Sequence, residues 1–463
     1  MKHYDLIIIG SWGGTKLRPA ADMGKTVAII EKEELGGTCL NKGCIPSKML
    51  IYPSDLVTYL REDTEDLHIW NSSHPTLDFA KLVSETTQVV CSNSENIAPI
   101  YEKHPNITLY RWHARFVSNK VIQVNEERLT AERIYIATGS RPQIPDIEGL
   151  AETPYMTSKE ALRNTKLPKS MIVIGGGYIA VELWHVYAAA WSEVHFLVRS
   201  GMIKAEDKDI RKAFEQDFSS RYNVHFWVFP TKVQYVDDEF HLTVTDAAGK
   251  EKVMKSEALL LATWVIPNSD DLGLEHTDIT RDKQWYIEVD AYLATKVPGV
   301  YALGDVIGKY LFRHSVNFEG EYLLREHFWE KNTQAPIEYP PVPHAIFSYP
   351  QIAWVGVTED MLIAEGKILG VDYETAVHHY KDSAMGMAMK PHIGFVKLIA
   401  EKKTWKILWA HILGEKAADI IHMMIALISA WESVDFMTDK MIFIHPALSE
   451  VIRNAARSLK AKI

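Results

Sequence analysis

The chain opens with an apolar run, Leu6-Ile7-Ile8-Ile9, that stops at Gly10. A β-rich run at 5–10, a helix-compatible segment and a second β-rich run at 26–32 have the layout of a βαβ unit. The same layout returns at 170–177, closed by 193–199. Strands that are apolar at nearly every position are buried on both faces, which is the mark of a parallel sheet. Two such units predict an α/β chain with two Rossmann-like dinucleotide-binding folds. From about Pro341 the pattern changes. Runs at 395–400 and 406–413 read as strands joined by a turn, and apolar text from 417 to 431 reads as a helix, so a C-terminal α+β domain is expected.

Composition alters this picture little. At 463 residues the chain is long enough for two to four domains, and 47% apolar with 24% charged residues is ordinary for globular proteins. A formal charge of −10 with no basic block argues against a nucleic-acid partner. The N-terminal apolar run is too short for a signal peptide, and no stretch approaches a membrane span, so a cytosolic location with no membrane partner is expected. Three cysteines are too few for a secreted disulfide framework.

Candidate chemistry begins at the glycine turns. A strand that runs through such a turn into a helix points backbone N–H groups and the positive helix end at a pyrophosphate. In the first unit Gly10 and Gly14 supply the turn, and Glu31, 21 residues after Gly10, stands where an acid binds ribose hydroxyls. This fingerprint is damaged: Trp12 and Thr15 occupy its second and third glycine slots, and Pro19 falls inside the expected helix. A strand, turn and helix with no ligand is the alternative. The second fingerprint is intact, with Gly175, Gly177 and Ala180 in the three slots. Its second strand ends in Arg199 rather than an acid, and a guanidinium there suits the 2′-phosphate of NADPH over NADH.

Cys39 and Cys44 lie five residues apart in the run Gly36-Gly37-Thr38-Cys39-Leu40-Asn41-Lys42-Gly43-Cys44-Ile45-Pro46-Ser47-Lys48. A thiol at an irregular helix entry gains thiolate character, and Lys48, one turn after Cys44, adds positive charge. That suits thiol–disulfide exchange. Half of a zinc site is the alternative, and the run lacks the further ligands that it needs. Cys91 reads as a bystander.

This run resembles the redox-active disulfide signature of the class I pyridine nucleotide–disulfide oxidoreductases, the family of dihydrolipoyl dehydrogenase and of mycothione, glutathione and mercuric reductases. The resemblance spans nearly the whole chain. It implies an FAD-binding domain at 1–147, an NAD(P)-binding domain at 148–265, a return to the FAD domain at 266–340 and a dimerisation domain at 341–463. It assigns Cys39 to exchange with substrate and Cys44 to the flavin, pairs Glu182 with Lys48 beside the flavin ring, and makes Tyr178 a gate. Gly37, Thr38, Thr138 and Gly139 become FAD contacts, and Asp305, in Gly304-Asp305, falls on the ribityl chain. His445, in His445-Pro446-Ala447-Leu448-Ser449-Glu450, becomes the acid–base group, held by Glu450 and contributed across a homodimer interface; His344 and His422 are left as structural. Residues within the cysteine motif and after His445 are most similar to dihydrolipoyl dehydrogenase acting on a small dithiol or disulfide. Arg199 draws the reading toward an NADPH-dependent reductase of mycothione or glutathione type. A flavoprotein-fold binding subunit without catalysis is the reading of another class.

Tryptophan is over-represented, thirteen against only 25 glycines. By the same resemblance Trp12, Trp112, Trp184, Trp191, Trp264, Trp285, Trp354, Trp405, Trp409 and Trp431 occupy glycine positions. Trp405 falls in the 403–406 hairpin turn, where positive φ is expected, and Trp264 ends an Ala-Thr-Trp run that parallels Ala137-Thr138-Gly139. Ten such exchanges would strain one marginally stable fold, so some of these positions are expected not to be tryptophan in the protein itself, and tryptophan at all of them would put FAD affinity in doubt.

Overall fold

The computed structural model describes residues 1–62, 67–69, 75–329 and 333–462. The chain divides into two units, Met1–Ser47 with Val83–Ile144 and Trp264–Glu338, and Lys48–Leu82 with Pro145–Thr263 and Tyr339–Ile463.

The first unit is built on a seven-stranded sheet. Its parallel core runs Ile107–Tyr110, Val27–Ile30, Lys2–Ile9 and Glu127–Ile136, with Leu6 opposite Val27 and Ile9 opposite Ile30. These strands are apolar on both faces because both faces are covered: Leu6, Ile7, Ile8, Val27, Ala28 and Ile29 are all fully buried. The long strand Glu127–Ile136 does two jobs. Its first half pairs antiparallel with Val121–Val124, and its last three residues pair parallel with Val300–Ala302. A short antiparallel pair, Ser140–Pro142 with Val265–Pro267, joins the departing chain to the returning one.

The helix expected after Gly10 is a correction. The segment forms a seven-residue 3₁₀ helix, Gly14–Ala20, with Pro19 inside it. Proline lacks the N–H that a helical ladder needs, so a regular α-helix is interrupted in this segment.

The second unit holds a four-stranded parallel sheet in the order Asn223–Phe226, Glu193–Val198, Ser170–Ile174, Ala258–Leu261. The α-helix Tyr178–Ala189 follows its glycine turn. A three-stranded antiparallel sheet spans Val228–Val236, Glu239–Asp246 and Glu251–Ser256. The C-terminal part is a five-stranded antiparallel sheet in which Phe395–Glu401 pairs with Ile407–Leu413. The helices Ala417–Ser429 and Glu450–Lys460 pack on it, the latter through Val451, Ile452, Ala455, Ala456 and Leu459.

The tryptophans are accommodated largely at the surface. Trp112, Trp191, Trp264, Trp285 and Trp431 are all more than half exposed. Trp405 has φ 57°, in the left-handed region expected of that turn. Trp184 is the contrary case, fully buried among Phe196, Phe218 and Tyr222.

Candidate active site

Both cysteines stand at helix entries created by glycines. Gly36 and Gly37 take positive φ, 95° and 59°, and lead into the short helix Gly37–Lys42, which carries Thr38 and Cys39. Gly43 breaks that helix, and Cys44 opens the next, Cys44–Glu62. Asn41 ties the bend by donating to the Leu35 and Gly37 carbonyls at 2.9 and 3.1 Å. Cys39 is half-buried and Cys44 exposed, and both are thiols.

The neighbours of Cys39 set the direction of its ionisation. A hydrogen bond to the Cys44 sulfur, then burial and the charge on Cys44, push its pKa well up. The opposing positive charge is Arg313, a residue that the sequence reading missed. Nothing near the cysteines in sequence signals it, because it arrives from the helix Arg313–Phe328. Lys48 spends its charge elsewhere: its ammonium lies 2.7 Å from Glu182 and 4.2 Å from the centre of the Phe347 ring. The Phe347 N–H donates to the other Glu182 oxygen at 2.9 Å.

Around the first glycine turn, Gly10 has φ 105°, and a Cβ there would lie 2.2 Å from the Ala137 carbonyl oxygen. Gly14 packs as closely on Ile8. The Glu31 carboxylate accepts from the N–H groups of Ser11 and Glu33, both at 2.9 Å. Gly139 takes φ 70° with open space beside it, and the Thr138 hydroxyl donates to the Asn268 carbonyl at 2.8 Å. Asp305 accepts from the Ser140 hydroxyl at 2.6 Å; burial pushes its carboxyl pKa up against that bond. The Gly10 turn, Gly139, Ser140 and Asp305 fit an extended dinucleotide cofactor. Trp12 is the misfit: its Cβ would collide with one on Gly37, its ring lies 4.0 Å from the Arg313 guanidinium carbon, and its Nε1 is buried without a hydrogen-bond partner among the described residues.

The second turn is open. Gly175 has φ 139° and meets the Ala262 carbonyl closely, as Gly10 meets Ala137. Gly177 is the N-cap of the helix Tyr178–Ala189, with nothing within 4 Å of an added Cβ. Fully buried Ala180 lets that helix approach the sheet, and Tyr178 is 42% exposed. Arg199 is exposed after the strand Glu193–Val198 and makes no ion pair among the described residues.

His445 and Glu450 lie together in the second unit. His445 Nδ1 is 3.0 and 3.1 Å from the two carboxylate oxygens, and Arg453 lies 2.7 Å from one of them. Burial raises the Glu450 pKa, but His445, the Ala447 N–H and Arg453 outweigh it and hold the carboxyl below its usual range. The imidazole itself is 71% exposed, so its Nε2 edge faces outward while Nδ1 is held.

Comparison with known proteins identifies the family. Residues 4–321 match the pyridine nucleotide-disulphide oxidoreductase family, and residues 342–456 match the dimerisation domain of the same family. Mycothione reductase of Mycobacterium tuberculosis is 32% identical over 99% of this chain and 100% of its own. Dihydrolipoyl dehydrogenase of Cupriavidus necator is 30% identical over 98% of each chain. The solved Cu(II) complex of the HOCl-induced flavoprotein disulfide reductase RclA from Escherichia coli shares the fold, with a TM-score of 0.87 over 99% of this chain at 24% identity. The chain thus belongs to the pyridine nucleotide-disulphide oxidoreductases, enzymes that use FAD and NAD(P)H.

Proposed function

We propose that Cys39 and Cys44 form the redox-active pair of a dithiol–disulfide oxidoreductase acting on a small disulfide or dithiol, with dihydrolipoamide as the leading substrate. The observation that carries this reading is the placement of the two cysteines in consecutive helices separated only by Gly43, Cys39 in Gly37–Lys42 and Cys44 as the first residue of Cys44–Glu62. Bound FAD supplies two-electron transfer between the nicotinamide and the cysteine pair. Gly10, Gly14, Glu31, Gly37, Thr38, Thr138, Gly139 and Asp305 would hold it, and Gly175, Gly177, Tyr178, Ala180 and Arg199 would hold the nicotinamide nucleotide. Cys39 exchanges with substrate while Cys44 faces the flavin side, where Lys48 and Glu182 keep a fixed ion pair. Glu450 orients the His445 ring by accepting its Nδ1–H, which leaves Nε2 to take and return the thiol proton. In a two-fold dimer that imidazole serves the partner's Cys39.

A second reading is favoured by one observation. Arg199 is exposed at the strand end with no acidic partner among the described residues, where a guanidinium suits the 2′-phosphate that NADPH brings to a reductase of a low-molecular-weight disulfide. Steady-state rates with NADH and NADPH against lipoamide, glutathione disulfide and mycothione separate the two. Turnover of lipoamide with NADH supports the first, and turnover of mycothione or glutathione disulfide with NADPH replaces it with the second. An undiminished rate in Cys39→Ser would remove the exchange assignment from both.

A further inference from the structure

We propose that Arg313 is the positioning cation of the cysteine pair: its guanidinium, laid against Trp12 with an N–H that no described residue accepts, favours the thiolate that begins exchange. The proposal rests on the assignment of Cys39 and Cys44 as the exchange pair, and it names a residue outside the cysteine and histidine motifs. Arg313 is the first residue of the helix Arg313–Phe328. Trp12, on which it lies, packs in turn against Gly37, two residues before Cys39. Its Nη1 is buried with no hydrogen-bond partner among the described residues, a costly state for a charged donor unless an anion comes to it. Burial pulls the guanidinium pKa down, and the charges of Cys39 and Cys44 act in the opposite direction.

The cations on the two cysteine-bearing helices are engaged, Lys42 by Glu33, Lys48 by Glu182 and Arg61 by the Pro75 carbonyl. The groups that act electrostatically on Cys39 are therefore Cys44, which opposes ionisation, and Arg313, which favours it. In reduction of a disulfide, the Cys39 thiol loses its proton to a base, and the thiolate attacks one substrate sulfur. The substrate S–S bond breaks and its first thiol leaves with a proton. Cys44 then displaces the second thiol, so the protein dithiol is oxidised as the substrate is reduced. Arg313 stabilises the first thiolate and transfers no proton.

The test is alkylation of the dithiol-reduced protein by iodoacetamide, followed at Cys39 by peptide mass as a function of pH. The midpoint of the rate profile is expected to rise by about one pH unit in Arg313→Met and to return in Arg313→Lys. An unchanged midpoint in Arg313→Met overturns the proposal. If circular dichroism shows that variant unfolded, Arg313→Gln carries the same two outcomes. A non-reducing peptide map that never links Cys39 to Cys44 in oxidised protein would instead sink the exchange assignment, so the two failures are distinguishable.

A second inference stands on the backbone alone. We infer that glycine is the residue inserted at positions 191, 227, 285, 405 and 431 in the cell that makes this protein. The tryptophans there have φ 76°, 59°, 72°, 57° and 57°. Bulky L-residues rarely enter that region. Among the described residues no other non-glycine type contributes more than two such positions. Trp191 and Trp431 follow helix ends, donating to the carbonyls of Ala188 and Ile428, where glycine is the usual terminator. Trp405 closes a hairpin by donating to Glu401. The rings at 191, 227, 285 and 431 are more than half exposed, so burial does not repay the strain. A codon read as tryptophan under one genetic code and as glycine under another would give this one-for-one pattern. Peptide mass spectrometry of protein isolated from its own cells is expected to find glycine at these five positions. Tryptophan there overturns the inference.

Discussion

At Gly10 and at Gly175 the backbone takes positive φ, and in both turns a carbonyl oxygen occupies the space of a Cβ, at 2.2 and 2.1 Å. Two residues later the turns part. Gly177 leaves open space and caps a twelve-residue α-helix, whereas Trp12 packs on Gly37 and is followed by a seven-residue 3₁₀ helix. The first glycine of each fingerprint therefore serves the sheet, letting the chain turn against a neighbouring strand. The second serves the ligand, and the two sites differ there in what they offer an anion.

Four experiments bear on this contrast, taken from the largest expected effect to the smallest. The unit that holds the open turn is braced by buried Lys397, whose ammonium lies 2.8 Å from Asp207, 2.6 Å from Asp209 and 2.7 Å from Glu359. Lys397→Met strands these carboxylates and is expected to cost about 3–5 kcal/mol in chemical denaturation. Burial raises the Asp207 and Glu359 pKa values, but His411 and Lys397 at the first and Lys397 and Lys208 at the second outweigh it and hold both below their ordinary values. Groups whose folded pKa is depressed contribute stability that is present above the unfolded carboxylate range and is lost as pH falls through the folded values. Denaturation midpoints should therefore fall on acidification below about pH 4, and less so in Lys397→Met.

Gly177→Trp copies the first turn into the second at a position where a Cβ meets nothing within 4 Å. It is expected to weaken NAD(P)H binding about a hundredfold, the equivalent of about 2–3 kcal/mol of lost anion contacts. Unchanged affinity in a fluorescence titration would break the contrast. The reverse exchange, Trp12→Gly, is expected to raise FAD affinity at least about tenfold in reconstitution of apoprotein. Trp431→Gly relieves left-handed strain at an exposed position away from either turn and should add about 1 kcal/mol of stability, read by calorimetry.

The sequence disclosed whatever rests on local pattern. Leu6–Ile9 and Ser170–Ile174 are strands because their apolar runs have no solvent face, and the hairpin of Phe395–Glu401 with Ile407–Leu413 follows from alternation around a turn. Glu450 lies within one turn of His445, so that pair too could be read from spacing. The helix after Gly10 was misjudged because Pro19 outweighs the pattern around it. The charge beside the cysteines was misplaced for another reason. Lys48 is near them in sequence but bound by Glu182, while Arg313 reaches them only through tertiary packing. No spacing rule connects a helix entry at 37–44 to another at 313.

The measurement that tests the account most directly is an anaerobic titration of FAD-reconstituted protein with NADH or NADPH, with alkylation and peptide mapping at each step. The account predicts that one equivalent of reductant opens Cys39 and Cys44 to alkylation together, while Cys91 is unaffected by the added nucleotide. Flavin reduction that leaves Cys39 and Cys44 as they were would contradict it.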